Sequence, residues 1–323
     1  MVLARRLLFA CLIACVAAIP ARAQEFPSRD IRFLCGFSPG GTCDLLSRML
    51  ADELTRQFGQ RVIVENRTGA SGMLAVDQVA KSPPDGHTVV LATMAMHAIL
   101  PVMPGITMPF HIDRDLTPIA NVANVYNILV ASPNAPFSNI PELIAYGRAN
   151  PGTLTYASAG NGTSQHLSGE FLARLARIEM LHVSYRGGAP AIVDIAAGRT
   201  HMMLGNMPEF LGQIRAGALR PIAFGAPRPS PLFPDLPLIS ATLPDFTVSN
   251  WFGIAGAPNL PPAVVARWHT ALQAVTASPD FQRRMTENGL EIIYGPQAEF
   301  LETIRRDRAR WGEVIREAGI RAN

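Results

Sequence analysis

Residues 31–58 read IRFLCGFSPGGTCDLLSRMLADELTRQF. The opening residues are apolar and β-branched, which predicts a strand over 31–37. Leu46, Leu50, Leu54 and Phe58 then recur every fourth position, the stripe of an amphipathic helix, and Gly59 is placed to stop it. Between the two lies a loop of small residues, Gly36 to Asp44. A strand, a glycine-rich loop and a helix in that order form the repeating unit of an α/β fold.

The same unit recurs outward from this stretch. Further strands are expected over 61–65, 88–92, 123–131, 154–158, 181–185, 201–204, 221–224 and 251–255. Helices are expected over 73–80, 141–149, 164–175, 189–197 and 208–216. Pro83-Pro84-Asp85-Gly86 is a strong turn signal before the third strand. Residues 227–244 contain six prolines and are expected to form a connector without regular structure. The tail from Pro261 is expected to be entirely helical. About nine strands with as many helices suit two α/β lobes with mostly parallel sheets better than one sheet.

The chain has 323 residues, 48% hydrophobic and 16% charged, which excludes a disordered chain, a collagen-like repeat and a coiled coil. One apolar stretch approaches spanning length, and it stands at the start. Arg5 and Arg6 precede a 13-residue apolar run over 7–19, followed by Pro20 and Ala21-Arg22-Ala23. That is the pattern of a secretory signal peptide cut after Ala23, and the run falls short of the ~20 residues a spanning helix needs. Leu12-Ile13-Ala14-Cys15 resembles a lipobox, but cleavage there would leave an apolar tail, so the lipoprotein form is the lesser expectation. Residues 1–23 carry three arginines and no acid, so the remainder has 25 basic and 25 acidic residues. A nucleic-acid partner, which calls for a basic excess or stripe, is therefore not expected.

Cys35 and Cys43 remain after the signal, and their spacing fits either a disulfide or two thiols. The seven histidines are scattered, with no His-Glu-x-x-His or Cys-x-x-Cys, so no metal is expected. The stretch Gly36-Phe37-Ser38-Pro39-Gly40 matches the G-x-S-x-G of a hydrolase elbow. There the residue after the nucleophile donates its N–H to the oxyanion, and Pro39 has none. A Ser38 hydrolase is thus disfavoured. So are nucleotide enzymes: no G-x-G-x-x-G occurs, and the only lysine, Lys81, is remote from the glycines. No cofactor is expected.

The loop suits holding an anion. Gly40 and Gly41 allow close backbone approach, and Thr42, Cys43 and Asp44 offer amides at a helix N-terminus. A thiol at Cys43 there would have a lowered pKa. Ser158-Ala159-Gly160-Asn161-Gly162-Thr163-Ser164 is a second loop of this kind, again between strand and helix. Two such loops, one per lobe, would grip a carboxylate from opposite sides.

Several further segments join these two loops: Val64-Glu65-Asn66-Arg67 with Gly69 and Gly72, Pro84-Asp85-Gly86, Tyr156-Ala157-Ser158 through to His166-Leu167, and Tyr185-Arg186-Gly187 with Pro190-Ala191. Taken in order, from about Phe26 to Gly319, the chain resembles the Bug-type receptors. These are periplasmic solute-binding proteins of tripartite tricarboxylate transporters.

The resemblance implies a two-lobe flytrap of the periplasmic-binding type (type II-like), with crossing segments near 123–127 and 247–252. Lobe 1 would comprise residues 24–124 plus 250–323, and lobe 2 residues 125–249. It implies a monomeric, non-enzymatic periplasmic receptor that binds a small carboxylate, often with bridging water, and passes it to a two-component permease. A sensory receptor on the same scaffold is the alternative. Implied ligand-binding residues are Ser38, Gly40, Gly41, Thr42, Cys43 and Asp44 on one lip, and Ser158, Gly160, Asn161 and Thr163 on the other. Thr93 and Asn206 stand at further strand ends. The chain departs from the family in having Cys43 where relatives have Ser or Thr before the aspartate. It also reads Thr200-His201-Met202-Met203-Leu204-Gly205-Asn206 where many read Val-Asp-x-Met-Phe-Asp-Asn, losing two acidic positions. His166 and His97 are expected to pack or cap, and Trp251 to pack in the core or hinge.

Overall fold

The computed structural model describes residues 26–322; the expected signal peptide lies outside the described residues. The first unit is β1 (Ile31–Cys35), the glycine loop and α1 (Thr42–Phe58). Gly59 ends α1 in the left-handed conformation, with its N–H on the Thr55 carbonyl, the usual αL termination. There follow β2 (Val62–Asn66), α2 (Met73–Ala80) and β3 (Thr88–Thr93), then one π-helical turn at Ala95–Ile99. The long strand β4 (Thr117–Ala131) leads into the second set. This set is α3 (Ile140–Ala149), β5 (Leu154–Ser158), α4 (Ser164–Ala176), β6 (Met180–Ser184), α5 (Gly188–Ala196), β7 (Met202–Asn206), α6 (Met207–Arg215) and β8 (Arg220–Phe224). The chain then returns through β9 (Ser249–Gly256), α7 (Pro262–Ala277), α8 (Pro279–Glu287), β10 (Glu291–Gly295) and α9 (Gln297–Ala318).

The strands form one hydrogen-bonded path, β2-β1-β3-β9-β4-β7-β5-β6, with β8 and β10 also paired to β4. Parallel ladders join β1 to β2 and β3, and β5 to β6 and β7. Every antiparallel ladder involves β4 or β9, the strands that pass between the two sets. The segments expected to cross are themselves partners, Ala123 opposite Phe252 through Tyr126 opposite Ser249. The two sets therefore share one path instead of owning separate sheets, because β4 has 15 residues and serves both.

Each set is covered on both faces. One core packs Phe33, Leu46 and Leu50 against Trp268 and Phe281, and a second packs Val90 and Val76 against Phe300 and Trp311. In the other set, Tyr156, Leu172 and Phe246 form one core and Met203, Phe210 and Ile195 its counterpart. Strand β3 is buried at all six positions, which explains its unbroken apolar run.

Two expectations are corrected here. The tail is not entirely helical: β10 pairs antiparallel with β4 through Glu291–Asn124 and Ile292–Ala123. A short apolar run between helices takes its structure from a distant partner, which local periodicity does not register. The proline-rich connector carries one 3₁₀ turn at Ile239–Ala241 and two isolated bridges, Phe224–Leu238 and Ser230–Phe233. Among the described residues no helix is long and apolar enough to cross a membrane.

Candidate functional site

The loop after β1 is fixed from within. Cys35 and Cys43 form a disulfide that joins the end of β1 to the first turn of α1. Cys43 is thus half of a buried cystine and not the low-pKa thiol that its helix position suggests. Asp44 accepts the Gly40 N–H at 3.0 Å and pairs with Arg48. Burial works against its ionisation, but Arg48, Gly40 and Asn66 together hold its carboxyl below the usual range.

The loop after β5 is built likewise. Ser158 Oγ is fully buried, accepts the Gly160 N–H at 3.1 Å and contacts His182 Nε2 at 2.7 Å. Thr163 caps α4, accepting from the His166 N–H and donating to the Gly160 carbonyl at 2.7 Å. His166 Nδ1 takes the Gly162 N–H at 3.1 Å, and its ring stacks on His182.

The two loops face one small cavity of about 30 Å³. Gly41, Thr42 and Cys43 line it from the first set, with Thr93 and Ala95 beside them. Thr163, Ser164, Gln165 and Asn206 line it from the second. Of the residues expected from sequence, Gly41, Thr42, Cys43, Thr93, Thr163 and Asn206 meet there. Asp44 and Ser158 are turned into their own loops. Gly40 closes the Asp44 turn, and Ser38 abuts Gly187 of the opposite set, where an added Cβ would lie 2.2 Å from Ser38 Oγ. Gly160 and Asn161 belong instead to an outer opening with Phe37, Ser71 and Arg186. At that opening Ser71 Oγ donates to the Asn161 carbonyl at 2.7 Å. Ser38 Oγ is buried and makes no hydrogen bond, so among the described residues it has no base beside it.

Sequence reading missed the residue that dominates the cavity. Glu209, in the first turn of α6, reaches across to α1 and accepts the Thr42 hydroxyl at 2.8 Å on Oε1. The Thr42 backbone N–H also donates to this carboxylate. Asn206 Nδ2 donates to Oε1 at 3.0 Å and Gln165 Nε2 lies 3.5 Å from it. Oε2 lies so near the first residue of α5 that a Cβ on Gly188 would stand 2.0 Å from it. The N-terminal turns of α1, α5 and α6 thus converge on one carboxylate, as dipoles favour. Part of the residue is open to solvent, but Oε2 is enclosed and has no partner. Burial pushes the carboxyl up to about 7 although the Thr42 and Asn206 donors pull it down. Asn250 and Phe252 of β9 complete the wall.

No arginine, lysine or histidine lines this cavity among the described residues. Nor do any three His, Cys, Asp or Glu gather there or elsewhere among the described residues to hold a metal. A roomier, mainly apolar cavity of about 490 Å³ lies apart, between β4, the connector and β10.

The model of the family described as "TctC: Tripartite tricarboxylate transporter family receptor" matches residues 46–320. A protein of Pseudomonas sp. (strain P51), "UPF0065 protein in tcbD-tcbE intergenic region", is 34% identical over 304 residues, covering 94% of this chain and 90% of its own. Among solved structures, "R. palustris Rpa4515 with adipate" superposes with a TM-score of 0.89 at 31% identity, covering 92% of this chain and 99% of its own. "Structure of periplasmic binding protein BugD" superposes with a TM-score of 0.87 at 28% identity, over 92% and 99% of the two chains.

Proposed function

Because the chain belongs to the tripartite tricarboxylate transporter receptor family, we propose that its interlobe cavity is the ligand site of a periplasmic carboxylate receptor. The protein binds a small organic carboxylate and delivers it to a membrane transporter. One observation carries the siting: two strand-to-helix loops from different sets of elements converge on one small cavity lined by polar side chains of both sets. First-turn amides of a helix have no partner within it, so the N-terminus of α4 supplies donors without a lysine, while Glu209 takes the Thr42 amide at α1.

In this reading Gly41, Thr42, Thr93, Thr163 and Asn206 contact the ligand, joined by Gln165, Asn250 and Glu209. Lobe 1 is residues 24–124 plus 250–323 and lobe 2 residues 125–249, moving about the β4–β9 pair by hinge closure. The present cavity is too small for a ligand such as the adipate carried by the R. palustris relative, so binding begins from a more open form. Residues 1–23 are removed on export, the receptor acts as a monomer, and its transport partner is a two-component permease. It carries out no catalysis, in keeping with the receptor family and with the isolation of Ser38 Oγ.

Thermal unfolding of residues 24–323 against dicarboxylates, citrate, amino acids and aromatic acids tests this. A ligand at a hundred times its dissociation constant adds ~2.7 kcal/mol, a shift of several degrees. A flat panel, with no ligand carried through purification, would reject the reading in favour of a sensory receptor that needs its partner. Ester turnover abolished by S38A would reject it in favour of a hydrolase.

A further inference from the structure

Building on the receptor reading, we propose that the cleft's ligand carries a protonated amine as well as its carboxylate. Glu209, Asn206 and Asn250 receive that amine. Three residues that line the cavity each have an enclosed side-chain oxygen that makes no hydrogen bond: Glu209 Oε2, Asn206 Oδ1 and Asn250 Oδ1. All three residues line the same cavity, and the two asparagines are only 3% and 5% exposed. Buried polar atoms in folded proteins find partners, and every one left here is an acceptor. An ammonium group presents three donors and no acceptor.

Charge points the same way. The wall contains one carboxylate and no cation. A ligand with only carboxylates would set further negative charge beside Glu209 with nothing to offset it, a costly arrangement in a closed site. A monocarboxylic amino acid adds no net charge, a dicarboxylic one adds one negative charge fewer than its desamino partner, and in either the ammonium supplies the missing counter-ion. Glu209 already engages the Thr42 hydroxyl and amide at α1. The ligand's carboxylate then takes the first-turn amides of Ser164 and Gln165 at α4, with the Gln165 side chain alongside.

Isothermal calorimetry on the exported protein with matched pairs tests this: glutamate and glutarate, alanine and propionate, 4-aminobutyrate and butyrate. The amino member of the pair that fits should bind at least about tenfold tighter, the scale of a hydrogen bond to a charged group. That ratio should fall towards one in E209Q, and fall in Asn250→Ala. Desamino acids binding as tightly as their amino partners would overturn the inference and leave the receptor reading intact. So would a preference that survives E209Q, or desamino binding accompanied by proton uptake, which would make Glu209 half of a proton-sharing carboxyl pair. If no carboxylate binds, with or without an amine, both readings fall.

Discussion

Glu209 and Thr42 are 167 positions apart in sequence and 2.8 Å apart in space. Their bond ties the first turn of α6 to the first turn of α1, and so one lip of the cleft to the other. A carboxylate of the protein's own thereby occupies a helix N-terminus that the sequence marks out for an anion.

E209Q should change how stability depends on pH. Burial raises the Glu209 carboxyl to about 7 in the folded chain, from 4.5 in its unperturbed state. The folded chain thus holds a proton that the unfolded chain loses, and this group's contribution falls as pH rises from 4.5 through 7. The other ionisable groups on the elements packed around it are Asp44 and Arg48, paired, with Asp52, Glu53 and Arg56 on α1, His166, Glu170 and Arg174 on α4, Arg186 just before α5 and Asp194 on it, and Arg215 on α6. None of these lines the cavity. E209Q should be more stable than the parent at pH 8 by about 2–3 kcal/mol and equal to it near pH 4. Denaturant melts at both pH values check this.

Three histidines, His97 and His166 buried and His182 half-buried, should act in the opposite sense. Burial holds His97 and His166 near 4, and burial with the neighbouring His166 charge holds His182 near 3, against an ordinary 6.5. Below 6.5 the unfolded chain takes up protons the folded chain refuses, so stability should fall from pH 6.5 down to about 4. With three such groups against one Glu209, a loss on the order of several kcal/mol is expected. Melting between pH 7 and 4 measures it. His182→Phe should flatten the slope, since the ring still stacks between Tyr156 and His166 but no longer titrates.

G188A should disable the cleft without unfolding the protein. A Cβ there would lie 2.0 Å from Glu209 Oε2, so the carboxylate must leave its place on α1. Alanine itself suits the first turn of α5. Affinity for the best ligand should drop about tenfold or more, while the melting temperature stays within a few degrees.

Reducing the Cys35–Cys43 bond should cost about 2.5 kcal/mol by the chain-entropy relation for a loop of this size. Because the bond frames the Gly41–Thr42 lip, ligand affinity should fall as well. Melts and calorimetry with and without a thiol reductant, or with C35S/C43S, distinguish the two effects.

The β/α alternation was legible because each amphipathic helix and buried strand writes its own period into the chain. The residues that line the cavity from strand ends, Thr93 and Asn206, and from the helix starts that follow, Thr42 and Thr163, were legible for a related reason: such loops lie where α/β folds bind ligands. The direction of side chains within those loops was not. Asp44 and Ser158 have the same composition signal as Thr42, yet both spend their oxygens bracing their own turns. Glu209 left a faint trace, an acid three residues past a strand end and behind Met207-Pro208. In isolation that is an ordinary helix first turn, and only α1 arriving from the other lobe gives it a role. Strand β10 escaped for a similar reason, since its pairing with β4 joins segments far apart in sequence.

Strand β4 runs unbroken from Thr117 to Ala131, with β9 and β10 along its first part and β7 and β8 along its second. The molecule is therefore not a pair of interchangeable modules. A cut anywhere in residues 123–127 would leave two fragments, each with a frayed ladder where it had an edge partner. Recombination between relatives would keep the sheet whole only by exchanging β4 together with its neighbours on both sides. The same continuity makes the joint a bending ribbon and not a loose tether, so the hinge closure proposed above would have few directions available to it.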